Sequence, residues 1–160
     1  MATRSLINVK CTDEKIRSVY VHWDGSTHLP ILKKYYNSQE MAESLILLGD
    51  LSVLAPRLSP KMGENHSFDN PVKDICVAYC RDRGEPWDDE KPEISFYDTK
   101  KVINKITNVT HGFNMFDDLP PVKHGVGYRE FNSFSEALKR DMGQEFIYEW
   151  DGKWAKRNVY

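Results

Sequence analysis

Two runs near the start of the chain, RSLINVK and IRSVYVHW, combine apolar, β-branched and aromatic residues in the manner of strands, and the five residues between them, CTDEK, suit a hairpin loop. In the second run, period-two alternation sends Val19, Val21 and Trp23 to one face and Tyr20, His22 and Asp24 to the other. Trp23 is therefore expected in the core, where truncation to alanine would cost about 3–5 kcal/mol, and His22 is expected to be dispensable for stability. The pattern then turns helical. Asn37 can cap a helix, Glu40 stands at the reciprocal position of a capping box, and Tyr36 can staple to Met41. Met41, Leu45 and Leu48 form one apolar stripe, and Gly49 is a natural stop.

From residue 55 to 71 periodicity disappears in a stretch rich in Pro, Asn and Ser, which reads as a long flap. VKDICVAYCR resumes as a strand, with Ile75, Val77, Tyr79 and Arg81 on one side and Cys76, Ala78 and Cys80 on the other, before a loop at Gly84-Glu85-Pro86. EISFYD reads as a short strand, and TKKVINKI as either a helical turn or a strand. Residues 107–127 read as loop. Ser133 and Glu136 open a second helix that Gly143 closes, and Asp151-Gly152 between two aromatic-rich runs predicts a final hairpin with a type I′ turn. The sum is one α+β domain over residues 1–160, with an antiparallel sheet of five or six strands and two helices on one face.

Charge and composition narrow the partners. With 22 basic and 24 acidic residues among 160, the net charge is −2, and no global positive field exists to collect the phosphates of a nucleic-acid duplex. No apolar run approaches the length of a membrane span, and MATRSLINVK lacks the apolar centre of a signal peptide, so a cytosolic protein, monomeric or a small homo-oligomer, is expected. Cys11, Cys76 and Cys80 are expected as buried small hydrophobes, and the sequons at Asn65 and Asn108 as chance matches.

Two sets of residues offer chemistry. His22, Asp24, Asp82 and Glu85 are ligand types for a divalent metal, but their spacing matches no metal motif; ordinary ion pairs and turn contacts account for them better, and no metal or cofactor is expected. The second set is Arg81, Arg83, Lys33 and Lys34, with Tyr20, Tyr79 or Trp87 available to stack on a base. Guanidinium forks match phosphate, and aromatic faces hold nucleobases. Arg81, Arg83, His22, Asp24, Tyr20, Tyr79 and Lys33 are thus the candidate ligand-binding residues. The competing structural account is that CRDRGE neutralises itself, the arginines pairing with Asp82, Glu85 and the acidic residues from Asp88 to Glu90. Gly125-Val126-Gly127 lacks the setting of a dinucleotide loop, and no nucleophile-elbow serine is present; the balance leans away from an enzyme, and whether any catalysis occurs stays open.

RSLINV, YVHWDG, YYNSQEMAESLILLGDLSVL, VAYCRDRGE and FIYEWDGKW, in this order and spacing, resemble a family of small, mostly phage-encoded proteins of unassigned function. The chain departs from that pattern at Ser26, Thr27 and His28, where the family continues with Tyr-Pro and a glycine, and at Cys80, where it has histidine. The resemblance implies a virus-encoded accessory protein, acting in the host bacterial cytoplasm against host machinery or defence. Within it, the basic and aromatic residues point to a binder that sequesters a nucleotide-type anionic signal. A metal-dependent phosphoesterase degrading such a signal, and an inhibitor covering a host protein surface, are the alternatives.

Overall fold

The first hairpin forms where strand composition places it: β1 (Ser5–Lys10) and β2 (Ile16–Val21) pair antiparallel, Asn8 opposite Ser18, and Glu14 takes the left-handed conformation in the loop. In this computed structural model, residues 2–83, 127–139 and 142–158 are described. The expected strand in EISFYD, the segment TKKVINKI, the turn at Gly84-Glu85-Pro86, the residues Trp87, Asp88 and Glu90, and most of the 107–127 loop lie outside them.

After β2 a 3₁₀ turn (Gly25–Thr27) leads into α1 (His28–Tyr35), a helix the apolar pattern did not reveal. Its Pro30 sits in the first turn, where the missing N–H would have had no intrahelical partner. α2 (Gln39–Ile46) follows, capped by Ser38, whose Oγ accepts from the Met41 N–H at 3.1 Å; Asn37, the expected cap, lies one residue outside. Gly49 ends this segment at φ 74°, as a glycine stop requires. The chain returns as β3 (Leu51–Val53), pairs with β4 (Val77–Ala78), and later adds β5 (Arg129–Phe131), α3 (Phe134–Ala137), β6 (Phe146–Trp150) and β7 (Trp154–Asn158). Ser133 caps α3 as its sequence signature predicts, accepting from the Glu136 N–H at 3.2 Å. In the final hairpin Trp150 pairs with Trp154, so the loop has three residues, Asp151 to Lys153, one more than expected.

The sheet has seven strands in the order β4-β3-β2-β1-β6-β7, with β5 also paired to β2. It is mixed, which corrects the expectation of a purely antiparallel sheet. β1 and β6 run parallel from Ser5↔Phe146 to Val9↔Trp150, and β2 runs parallel to β3 at Val21↔Leu51. The second pair follows from α1 and α2 lying between its strands, since such a crossover returns the chain in its original direction. Both helices pack on one face, where Leu32, Tyr36, Ala42, Leu45 and Ile46 meet Ile7, Val9, Val19, Val21, Tyr148 and Trp150. The pair of helices on one face is therefore α1 and α2, and the four-residue α3 lies against β2 and β5 instead. None of the described helices is long and apolar enough to cross a membrane.

His28 locks the start of α1 to the sheet. Its Nδ1 lies 3.1 Å from Ser5 Oγ and its Nε2 2.9 Å from the Trp23 carbonyl, while Tyr148 Oη donates to the Gly25 carbonyl. Because a carbonyl only accepts, Nε2 carries the ring proton and Nδ1 accepts from Ser5. Gly25 is required here: a Cβ would lie 2.7 Å from the Thr3 carbonyl oxygen.

A candidate ligand-binding face

The expectation for Trp23 fails. β2 ends at Val21, Asp24 turns left-handed at φ 61°, and the indole is 42 % exposed, edge-on to His22 with ring centroids 4.7 Å apart. Alternation holds only while the strand continues, and here the chain leaves it two residues before Trp23 is reached.

Arg81 is placed inside the protein. The expected strand 72–81 stops at Ala78, and Tyr79–Arg83 winds into a single π turn that carries the Arg81 side chain inward. Its Nε donates to Asp82 Oδ1 at 2.8 Å, one terminal nitrogen to the Leu58 carbonyl, and the other to the Cys76 carbonyl and to Asp82 Oδ2. Four of its five N–H donors are thus held by the protein. Asp82 Oδ2 also accepts from the Ala78 N–H at 2.7 Å and lies 3.2 Å from His66 Nε2. The Val72 N–H donates to His66 Nδ1 at 3.0 Å, which fixes the imidazole proton on Nε2, facing the carboxylate. Burial pushes the Asp82 carboxyl up, but the charge of Arg81 and the hydrogen bonds from His66, Arg81 and Ala78 outweigh it and hold the group at about 2. Arg81, Asp82 and His66 thereby tie residues 57–72 to β4. Leu58, Ser59 and His66 are buried there, so the stretch read as a flap is packed down.

The other candidates separate. Arg83 lies over the Phe68 ring at 5.1 Å, and Phe68 tilts against Tyr79, which packs on the helix-covered core. Lys33 is exposed in the last turn of α1, and Asp24 is exposed in the turn before that helix. Among the described residues no three His, Cys, Asp or Glu side chains gather as a metal set. The three cysteines are free thiols and buried, and burial raises Cys11 to about 11.

Tyr20 and His22 do come together. Alternation puts them with Leu6 and Ile147 on the face of the sheet turned away from α1 and α2. Tyr20 Oη and His22 Nδ1 are 2.6 Å apart, and the Arg4 side chain lies near enough for its charge to act on both groups. Burial, reinforced by the charge of Arg4, lowers the His22 pKa below its ordinary value. Arg4 is an exposed cation close to an aromatic hydroxyl and an imidazole, with Trp23 edge-on to the imidazole. A cation at residue 4 was not singled out in the sequence, although alternation from Leu6 places it on this face.

One two-residue step along the strands lies a polar row, also unforeseen: Arg129 on β5, Ser18 on β2, Asn8 on β1 and Glu149 on β6 are register partners in turn. Asn8 is 0 % exposed, yet neither its amide oxygen nor its amide nitrogen has a hydrogen-bond partner among the described residues. Glu149 is 8 % exposed; Oε1 accepts from Arg157 Nε at 2.7 Å, and Oε2 is unpartnered. Each buried polar atom left without a partner costs roughly 1–3 kcal/mol. The sequence signal was an asparagine in the middle of an otherwise apolar strand, where that residue is disfavoured.

Compared with known proteins, the chain matches no family profile, no curated protein sequence and no solved structure.

Proposed function

We propose that this chain is a phage accessory protein that binds and sequesters a nucleotide-type anionic signal in the host bacterial cytoplasm, on the sheet face turned away from α1 and α2. The observation that carries the reading is the cluster of Arg4, Tyr20, His22 and Trp23: an exposed cation near a hydrogen-bonded phenol and imidazole, beside an indole left 42 % exposed just past the end of a strand. A guanidinium supplies paired donors for a phosphate, and an exposed indole supplies a face for a base. The proposal moves anion recognition from Arg81, whose donors are occupied inside the protein, to Arg4. The phage setting and the counter-defence role rest on the sequence resemblance.

A thermal-shift screen against cyclic and linear nucleotides, with and without divalent metal, tests this. The expected result is a raised melting temperature with a nucleotide recovered intact. Trp23→Ala should weaken that binding about 5–100-fold through lost stacking while shifting the melting temperature little, because the residue is 42 % exposed and lies outside the core cluster. Turnover of the nucleotide with metal would replace binding by phosphoester hydrolysis. No response to any nucleotide would refute the reading and leave inhibition of a host protein.

A further inference from the structure

We infer that β7 is a docking edge that takes an extended acidic segment of a partner protein as one more strand of the sheet. The inference is independent of the nucleotide reading. β7 ends the strand order, and β6 is its one sheet neighbour among the described residues. A strand paired on one side only turns alternate backbone N–H and C=O groups outward. Ala155, Lys156, Arg157 and Asn158 are all exposed, four in a row where a covered strand would bury every second residue, so the outer side of the strand stands open to solvent. At the opposite end of the strand order β4 has two residues, too few for such a seam.

Charge chooses the occupant. α1 packs against β7, and the two elements together carry Lys33, Lys34, Lys156 and Arg157 and no acidic residue, in a chain whose net charge is −2. Among the described residues only Arg157 of the four meets a carboxylate, that of Glu149. Lys156 rests on neutral partners, the Ser26 carbonyl at 2.8 Å and the Phe146 ring at 4.5 Å, and Lys34 lies over the Tyr35 ring. Alternation sets Lys156 on the side of Trp154 and α1, and Arg157 on the other side with Glu149, so cations flank the edge on both faces. A second copy does not fit, because β7 paired antiparallel with itself would bring Lys156 and Arg157 against the same two residues. What fits is a strand with two consecutive carboxylates, one for each face, opposite Lys156 and Arg157.

The test titrates the full-length protein with an acetylated, amidated hexapeptide, Thr-Val-Glu-Glu-Val-Thr, and with the same peptide carrying lysine in place of glutamate. The acidic peptide should bind at least about 10-fold more tightly than the basic one, and it should slow hydrogen exchange at backbone amides within β7. N-methylation of every second residue removes the donors from one edge of the peptide and keeps its charge. Of the two phases, one should weaken binding about 10-fold or more and the other clearly less, because only one edge of the peptide meets β7. Lys33→Glu, Lys34→Glu and Lys156→Glu combined should reverse the preference in favour of the lysine peptide. Binding of the wild type that is indifferent to N-methylation in both phases would overturn the inference, since charge alone would then hold the peptide and no strand would be added. Failure of the acidic peptide to bind would overturn it as well, and so would binding that leaves exchange in β7 unchanged.

Discussion

Arg81→Ala is expected to destabilise the protein by about 3–5 kcal/mol, the cost of leaving one member of a buried ion pair alone. The substitution strips Asp82 of its two guanidinium bonds and leaves the Leu58 and Cys76 carbonyls without their donor. Lysine should not restore the loss, because a single ammonium cannot span three acceptor groups that a planar fork reaches together. Asp82→Ala should cost a similar amount, through an uncompensated buried guanidinium, and the double variant should cost less than the sum of the two. Chemical denaturation of the three variants checks this. Additive losses would contradict the coupling that the geometry requires, and an Arg81→Ala protein as stable as wild type would put Arg81 outside the core.

Acidification from pH 7 to pH 4.5 should remove up to about 3 kcal/mol of stability through His28. Burial holds its folded pKa at about 4, against the ordinary 6.5; its bond to the Trp23 carbonyl and the charge of Asp24 oppose that, and Lys156 adds to it. The unfolded chain therefore binds a proton that the folded protein refuses. The contribution is complete above about 6.5 and is lost as pH falls toward 4. The geometry agrees, since protonated Nδ1 could no longer accept from Ser5. His22, also lowered by burial and by Arg4, steepens the same slope. Unfolding free energies measured across this range on wild type and His28→Gln decide the point: the variant should be less stable at pH 7 and clearly flatter with pH. An unchanged slope would show that His28 is not the group responsible.

These residues also mark where the sequence was readable. The two hairpins, the helix that stops at Gly49 and the Ser133 cap depend on local composition, and local composition is printed in order along the chain. The partner of a strand is not. Nothing near Val9 indicates that Trp150 runs beside it, so the parallel pairs that make the sheet mixed were beyond alternation alone. α1 was hidden by Pro30, tolerated because it falls in the first turn. Arg81 was misplaced because a π turn replaced the last residues of an assumed strand, so alternation no longer set where its side chain points. Of the candidate site, Tyr20 and His22 were legible from alternation. Arg4, Asn8 and Glu149 were passed over because each is unremarkable until the register sets them on one face.

The central claim is that this face, and not the π turn, takes the ligand, and one side-by-side titration addresses it. Arg4→Ala and Arg83→Ala each remove one exposed arginine, the first beside Tyr20 and His22, the second over Phe68. With the nucleotide that most stabilises the wild type, Arg4→Ala should bind about 10–100-fold more weakly, as expected for a lost charged hydrogen bond, and Arg83→Ala should stay within about two-fold. Weakened binding by Arg83→Ala with Arg4→Ala unaffected would contradict the account.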